Sequence, residues 1–433
     1  MRVSPRSGAA VPAWRILLPA GLAELALLAA LGWWPAAQTG WVRALLFGAA
    51  FIAYVVAAMR IRDALGGRAL IWGTAVALRL VFLPLDPSLS GEAYRHLWDG
   101  HVQVEGFNPF GRAPVDEDLA GLRTPWFGLI PDAGSPTSYP PLAQLAFFAI
   151  ALAGGALFQA KLLWIGLDLG TGWVLGRIAF HTGRSRRLTQ LLWLWSPLLV
   201  IEVAWSGQMA PLALFPLCLV VLLARAPVGA GVAAGLSSLA APIVLAALPA
   251  LIRRMGRRFL VGFVAAAAVL VLPYLLPGPR FTWDMFRISH DTPFLEGLFA
   301  LLHSAVPGVV APRWVALVVI LAVSAWATVR RLRPERALLW VLGAALLVTP
   351  VLRPWFTLWI LPFAALRVSR PWLLFTALVF LAYAAPAGSA DQGAPPLPSW
   401  IHVTVWLPFL AFLAYEAHRS RSSDVPLPLS PEG

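Results

Sequence analysis

The chain is poor in almost everything a water-soluble enzyme uses. It has a single cysteine, Cys218, set inside an apolar run, which leaves nothing from which to build a disulfide framework or a thiolate metal site. Charged residues make up only 12% of the 433 residues, hydrophobic ones make up 59%, and the mean hydropathy is +0.76. That balance excludes an ordinary soluble domain and points to a polytopic membrane protein. Alternating polar and apolar strands are also missing, which argues against a β-barrel. The seven histidines are scattered without metal-ligand spacing, and Glu92 with Asp99 is too small a set for a cation, so no metal or other cofactor is expected. Lysine is nearly absent: Lys161 is the only one among 33 basic residues.

Proline (38) and glycine (35) are plentiful, which membrane helices tolerate because neighbouring helices re-satisfy the freed backbone groups. The formal charge of +13 is carried by arginine clusters: Arg60/Arg62/Arg68, Arg184/Arg186/Arg187, Arg253/Arg254/Arg257/Arg258, Arg330/Arg331/Arg333/Arg336, Arg367/Arg370 and Arg419/Arg421. Each lies between hydrophobic segments or ends one. This is the positive-inside pattern of cytoplasmic loops, with affinity for anionic membrane lipid, and without the interleaved aromatics of a nucleic-acid surface. The basic Met1–Arg15 stretch leads into an apolar run ending at Gly32-Trp33-Trp34-Pro35. No small-residue cleavage pattern follows, which reads as an uncleaved first helix with a cytoplasmic N-terminus.

A spanning helix needs about 20 mostly apolar residues. Candidate segments are 16–34, 42–59, 69–85, 139–158, 161–180, 188–204, 209–224, 229–252, 259–276, 312–329, 337–352, 355–366, 372–386 and 400–416. With the arginine clusters on one side, residues 86–138, 277–311 and 387–399 fall on the other. Two full crossings between Tyr139 and Phe180 would put Arg184–Arg187 on the wrong side, so one piece of 139–158 is expected at the interface or re-entrant. By the same logic 229–252 is expected to break near Pro242 into half-helices. The expectation is an all-α bundle of 11 to 13 spans with short extracytoplasmic loop helices. It divides into N-terminal helices (1–68), a core (69–366) holding loops 86–138 and 277–311, and C-terminal helices with a tail (367–433).

The polar anomaly in this oily chain is Ser90-Gly91-Glu92-Ala93-Tyr94-Arg95-His96-Leu97-Trp98-Asp99-Gly100. Carboxylates at the mouth of a hydrophobic helix mark chemistry or binding. In a helix, Glu92, Arg95 and Asp99 fall at i, i+3 and i+7 on one face, equally consistent with a salt-bridged surface helix and with a site.

This run, followed by Gly106-Phe107-Asn108-Pro109-Phe110 and Tyr139-Pro140-Pro141-Leu142-Ala143-Gln144, resembles the bacterial polytopic glycosyltransferases of the GT-C fold that use polyprenyl-phosphate sugars, especially mannosyltransferase-like members. Downstream echoes are Lys161 with Asp168, Trp195-Ser196-Pro197 with Glu202, and Pro354-Trp355-Phe356 leading to Trp359-Ile360-Leu361-Pro362-Phe363. The chain departs from that pattern at Gly91, where the family has the first of two acids, at Gln208 and Ala210, at Ala241 in place of a lysine, and at Arg353 in place of a histidine.

The resemblance implies a GT-C-like bundle in a bacterial inner (plasma) membrane. It also implies an inverting transfer of a hexose, mannose first among them, from a polyprenyl-phosphate donor to a lipid-linked or cell-envelope glycan acceptor, outside the cytoplasm. Such a reaction needs a base for the acceptor hydroxyl and cations for the phosphate. Glu92 is the candidate base, with Asp99 as a second catalytic carboxylate or a loop-holding cap. Arg95, Lys161, Glu202, Gln208 and Arg353 are candidate substrate-binding residues; Lys161 reads equally as a structural partner of Asp168, and Arg353 as an interfacial arginine. Tyr94 and Trp98 are candidate sugar platforms, although both are also the residue types that seat helices at an interface. His290 and Asp291 are weaker candidates. Two other readings compete: a non-catalytic GT-C-like protein that binds a lipid carrier or assists another enzyme, and, with less support, a lipid-sugar transporter.

Overall fold

The computed structural model describes residues 12–35, 40–61, 66–275, 294–306, 308, 311–385 and 397–423, and the regular elements among them are helices. The first three are α1 (Trp14–Trp33), α2 (Gly40–Arg60) and α3 (Arg68–Phe82), followed by the loop helix α4 (Glu92–Val104) and the short α5 (Pro141–Leu152). Then come α6 (Leu157–His181), α7 (Arg186–Leu194), α8 (Pro197–Val200), α9 (Ala210–Leu222), α10 (Pro227–Ser238), α11 (Leu248–Met255) and α12 (Arg257–Leu275). The chain closes with α13 (Leu298–Ala305), α14 (Ala311–Val329), α15 (Pro334–Val348), α16 (Leu361–Arg367), α17 (Arg370–Leu378) and α18 (Ser399–Ser423). Residues His290 and Asp291 lie outside the described residues.

Six of these helices are long and apolar enough to cross a bilayer, or seven if the bent pair Arg186–Leu194 and Pro197–Trp205, with 49° between its halves, counts as one span. This is a multi-pass helical membrane protein. The number falls below the 11 to 13 expected because apolarity alone does not make a long helix. Several expected spans are interrupted by proline, and Pro141–Leu152, Ala210–Leu222 and Arg370–Ala384 are apolar but short.

The 229–252 segment shows the reason. α10 stops at Ser238, Ala241 is extended, and a 3₁₀ turn at Pro242–Ala247 leads into α11. Proline disfavours helical backbone in the residue before it, so Ala241 cannot continue the helix. The break falls where Pro242 led us to expect it. Where helices do run side by side, small residues let them close up. A Cβ on Gly231 of α10 would sit 1.9 Å from the Phe259 carbonyl oxygen, and one on Gly262 of α12 would sit 2.1 Å from that of Val228. Such contacts between backbones are how membrane helices gain packing energy without a hydrophobic drive between them.

The bundle has two chemically distinct ends. At one, Arg187 Nη1 donates to the Gly66 carbonyl (2.9 Å), and Arg367 lies within electrostatic reach of Arg184, Arg333 and Arg336. Loops distant in sequence thus bring their arginines together. At the other end, Lys161 near the start of α6 donates to the Phe82 and Leu85 carbonyls at the end of α3, which leads into α4. Both the start of α5, beside Glu92, and the start of α6 lie at this second end. α5 spans only ~18 Å against a hydrocarbon core of ~30 Å, so α6 alone joins the two ends. That removes the conflict that two crossings would create.

Within the bundle, Arg79 of α3 meets Asp168 of α6 at 2.8 Å, with both side chains buried, and also donates to the carbonyls of Ala75 (3.0 Å) and Leu194 (2.5 Å). The sequence suggested Lys161 as the partner of Asp168. The structure gives that part to Arg79, because Lys161 lies nearly two turns away along α6 and is spent on capping the last carbonyls of α3.

Candidate functional site

Glu92 opens α4 and is partly buried. Its own N–H donates to Ser90 Oγ (3.2 Å), which anchors the helix start, and a carboxylate in the first turn is favoured by the helix dipole. Tyr139, arriving from the segment that begins α5, donates its hydroxyl to Glu92 Oε2. Burial, with the adjacent Glu92 charge, pushes the Tyr139 phenol well above its usual range, so it stays a donor. Glu92 is thereby oriented by a group that cannot compete for its negative charge.

The remaining polar residues of α4 build the loop around it. Arg95 Nε bonds Asp99 Oδ1 (2.9 Å), while its two Nη atoms donate to the carbonyls of Asp132 and Ser135 (3.0 Å each). Asp99 is buried and also accepts from Gln144 Nε2 (2.9 Å), which in turn bonds Thr137 Oγ1 (2.8 Å). One arginine and one aspartate therefore tie α4, the 132–137 loop and α5 together. Close approach of α4 to α5 requires Gly100, whose Cβ would lie 2.3 Å from the Phe147 carbonyl oxygen.

A cavity of about 340 Å³ lies against this assembly, lined by Glu92, Arg95, Asp132, Tyr139, Gln208 and Arg353, with an aromatic wall of Trp355, Phe356 and Trp359. Its size sits at the lower end of small-molecule sites, ~300–1,000 Å³. Arg353 enters from a short stretch that pairs with residue 294: Phe294 N–H donates to the Pro350 carbonyl (3.0 Å) and Leu352 N–H to the Phe294 carbonyl (2.8 Å). The Arg353 guanidinium then stacks over the Phe294 ring at 4.5 Å. Gln208 follows the positive-φ Gly207 (φ 69°) and its amide points toward Ser90 Oγ at 3.5 Å.

Four of the expected site residues, Glu92, Arg95, Gln208 and Arg353, thus share one cavity. Five others do not line it. Asp99, expected to share the chemistry, is engaged by Arg95 and Gln144 behind the cavity wall. Trp98 is buried against Phe127 (ring centroids 5.2 Å) and Tyr94 packs on Trp126 (5.8 Å), so both seat the loop. Lys161 caps α3. Glu202, on a π-turn at Ile201–Trp205, accepts from Tyr383 OH (2.7 Å).

Sequence reasoning quoted Tyr139 only as part of the Tyr-Pro-Pro element and gave it no role. The signal was there in the prolines, since Pro140 and Pro141 start α5 and fix where the tyrosine before them must lie. Asp132, also missed, has φ 50°, a left-handed backbone that aspartate tolerates, and presents its carbonyl to Arg95. At Gly91 a Cβ would come 2.6 Å from the Leu129 carbonyl oxygen, and at Ala241 the side chain is buried beside Ala213 in a cluster with Leu142 and Trp359. Neither position offers room for the charged residue that the motif pattern has there.

No protein-family model matches the chain, and neither does any curated protein or solved structure.

Proposed function

We propose that this protein is an integral membrane glycosyltransferase of GT-C type that moves a hexose from a polyprenyl-phosphate donor to a lipid-linked or cell-envelope acceptor on the extracytoplasmic face. The observation that carries the reading is the pairing, in one cavity, of a carboxylate held by a tyrosine with a cation on an aromatic shelf. Glu92 takes the proton from the acceptor hydroxyl as that oxygen attacks the anomeric carbon. The bond from that carbon to the phosphate oxygen breaks, and the phosphate leaves with its electron pair. Arg353 meets the phosphate, and Trp355 and Trp359 offer flat faces to the apolar side of the sugar. A base on the face opposite the leaving group gives inversion. The bacterial plasma membrane is the setting such a donor implies, and mannose is the first sugar to try.

The test is transfer from a radiolabelled polyprenyl-phosphate hexose by purified protein in proteoliposomes, with Glu92→Gln alongside. Activity lost in a folded variant supports the assignment, and full activity in it removes Glu92 as the base. A second reading, a non-catalytic carrier-binding protein, draws on Gly91, where the Leu129 carbonyl excludes a second acid. Wild-type protein that binds the lipid-phosphate sugar yet neither transfers nor hydrolyses it would establish that reading instead.

A further inference from the structure

A second cavity, of about 480 Å³, lies at the arginine end of the bundle and takes no part in the site above. Its walls are Phe51 and Met59 of α2, Leu188 and Leu192 of α7, Leu373 of α17 and Phe412 of α18. The one polar group inside, the Tyr54 hydroxyl, is already committed to the Leu192 carbonyl (2.9 Å). An occupant of the interior must therefore be apolar.

The mouth is different. Arg370, the first residue of α17, is exposed and lines the cavity. Each of the other three walls also reaches an arginine at this end: α2 stops at Arg60, α7 begins at Arg186 and Arg187, and α18 carries Arg419 beyond Phe412. Glu416 lies within electrostatic reach of Arg370 and Arg419 and offsets part of that charge. From Arg60 back to Phe51 the helix runs ~13 Å, close to the ~15 Å half-thickness of a bilayer's hydrocarbon core. A slot of that depth, apolar within and basic at the rim, is complementary to a lipid with a negatively charged head.

We infer that this cavity binds one anionic glycerophospholipid of the arginine-side leaflet, its acyl chain between α2, α7, α17 and α18 and its phosphate against Arg370. The lipid fills the space that α2 and α7 enclose with α17 and α18. This is separate from the transfer reaction proposed above and stands or falls independently of it.

The experiment uses the full-length protein in mild detergent, with phosphatidylglycerol and phosphatidylcholine of identical chains, read by native mass spectrometry and by thermal unfolding. One phosphatidylglycerol per chain is expected, bound about fivefold more tightly than phosphatidylcholine, as one basic residue near a lipid surface implies. Arg370→Gln should bring the two lipids close to equal affinity, weakening phosphatidylglycerol more than phosphatidylcholine. Ala58→Trp, which fills the slot, should lose both lipids. Equal binding of the two lipids by wild type, or unchanged phosphatidylglycerol binding by Ala58→Trp, overturns the proposal. So does a dimer held together through this face. Should Ala58→Trp not fold, the wild-type preference and its loss in the surface variant Arg370→Gln decide the matter.

Discussion

His96 gives the sharpest stability prediction. Its ring is fully enclosed between Phe147 (centroids 4.6 Å, stacked) and Tyr139 (4.9 Å, edge-on), with Trp164 beyond, and neither ring nitrogen has a hydrogen-bond partner among the described residues. Burial, reinforced by the neighbouring Arg95 charge, lowers its pKa from 6.5 to about 3. The folded protein therefore keeps this ring neutral while the unfolded chain takes up a proton below pH 6.5. Between those two values the unfolded state binds more protons, so stability rises with pH and is lost as pH falls. Going from pH 7 to pH 5, the loss from this one group is about 2 kcal/mol, or roughly a thirtyfold shift toward the unfolded state. His96→Phe keeps an aromatic ring in an aromatic slot and removes two buried nitrogens that cost ~1–3 kcal/mol when left unpaired. At pH 7 the variant should be at least as stable as wild type, less any small cost of the larger ring. At pH 5 it should be more stable by about 2 kcal/mol beyond the difference at pH 7. Denaturant or thermal unfolding of both proteins in the same detergent at pH 7, 6 and 5 measures this, and every other titrating group cancels in the difference. Parallel loss of stability by the two proteins would refute the account of His96 as a buried neutral ring.

Other perturbations separate the remaining roles. Tyr139→Phe removes a donor to a charged carboxylate, worth ~1.5–3 kcal/mol; where transfer is measured, the acid limb of its pH–rate profile should move up by about 1–2 units, and an unmoved limb would remove Tyr139 from the site. Arg79→Leu strands Asp168 in the bundle and should cost ~3–5 kcal/mol, whereas Arg79→Leu with Asp168→Leu should recover most of it; unfolding of the single and double variants decides. Asp99→Ala removes the carboxylate that orients Arg95 toward the Asp132 and Ser135 carbonyls, so protease cleavage within 107–137 should accelerate several-fold before global unfolding does. Gly231→Leu has no room against the Phe259 carbonyl, and its folded yield in detergent should collapse while Gly73→Leu, at a position with no neighbour within 4 Å, behaves as wild type.

The membrane class and the loop helix were legible because both are written in local composition. A run of apolar residues announces lipid, and a single polar run within it announces a site. The same locality explains what sequence could not supply. Lys161 and Asp168 lie seven residues apart on one helix, so the pattern pairs them, yet the counter-charge comes from Arg79 on another helix, 89 residues back. No periodicity encodes which helix packs on which. The expected span count exceeds the six or seven long apolar helices among the described residues for a related reason: hydropathy registers an apolar segment whether or not proline lets it run as one helix, and Pro197 interrupts 188–204, which reads as continuous.

The cavity makes the point more strongly, because all of its walls come from places where helices begin, break or turn. Glu92 is the first residue of α4, Tyr139 precedes α5, Gln208 follows a π-turn, and Arg353 precedes a 3₁₀ turn. At such points the backbone leaves its periodic path, so the face a residue presents no longer follows from counting along the helix. They are also where a membrane protein can point polar side chains inward without placing charges along a lipid-facing surface. Asp99 tests this logic within one element. Two turns into α4, it sits where periodicity still holds, and there its carboxylate is absorbed into the helix-to-loop clamp with Arg95 and Gln144, while Glu92, at the helix start, faces the open space. Two carboxylates on one short helix are thus divided, by position relative to the helix end, into one that holds the loop and one that is left to meet a ligand.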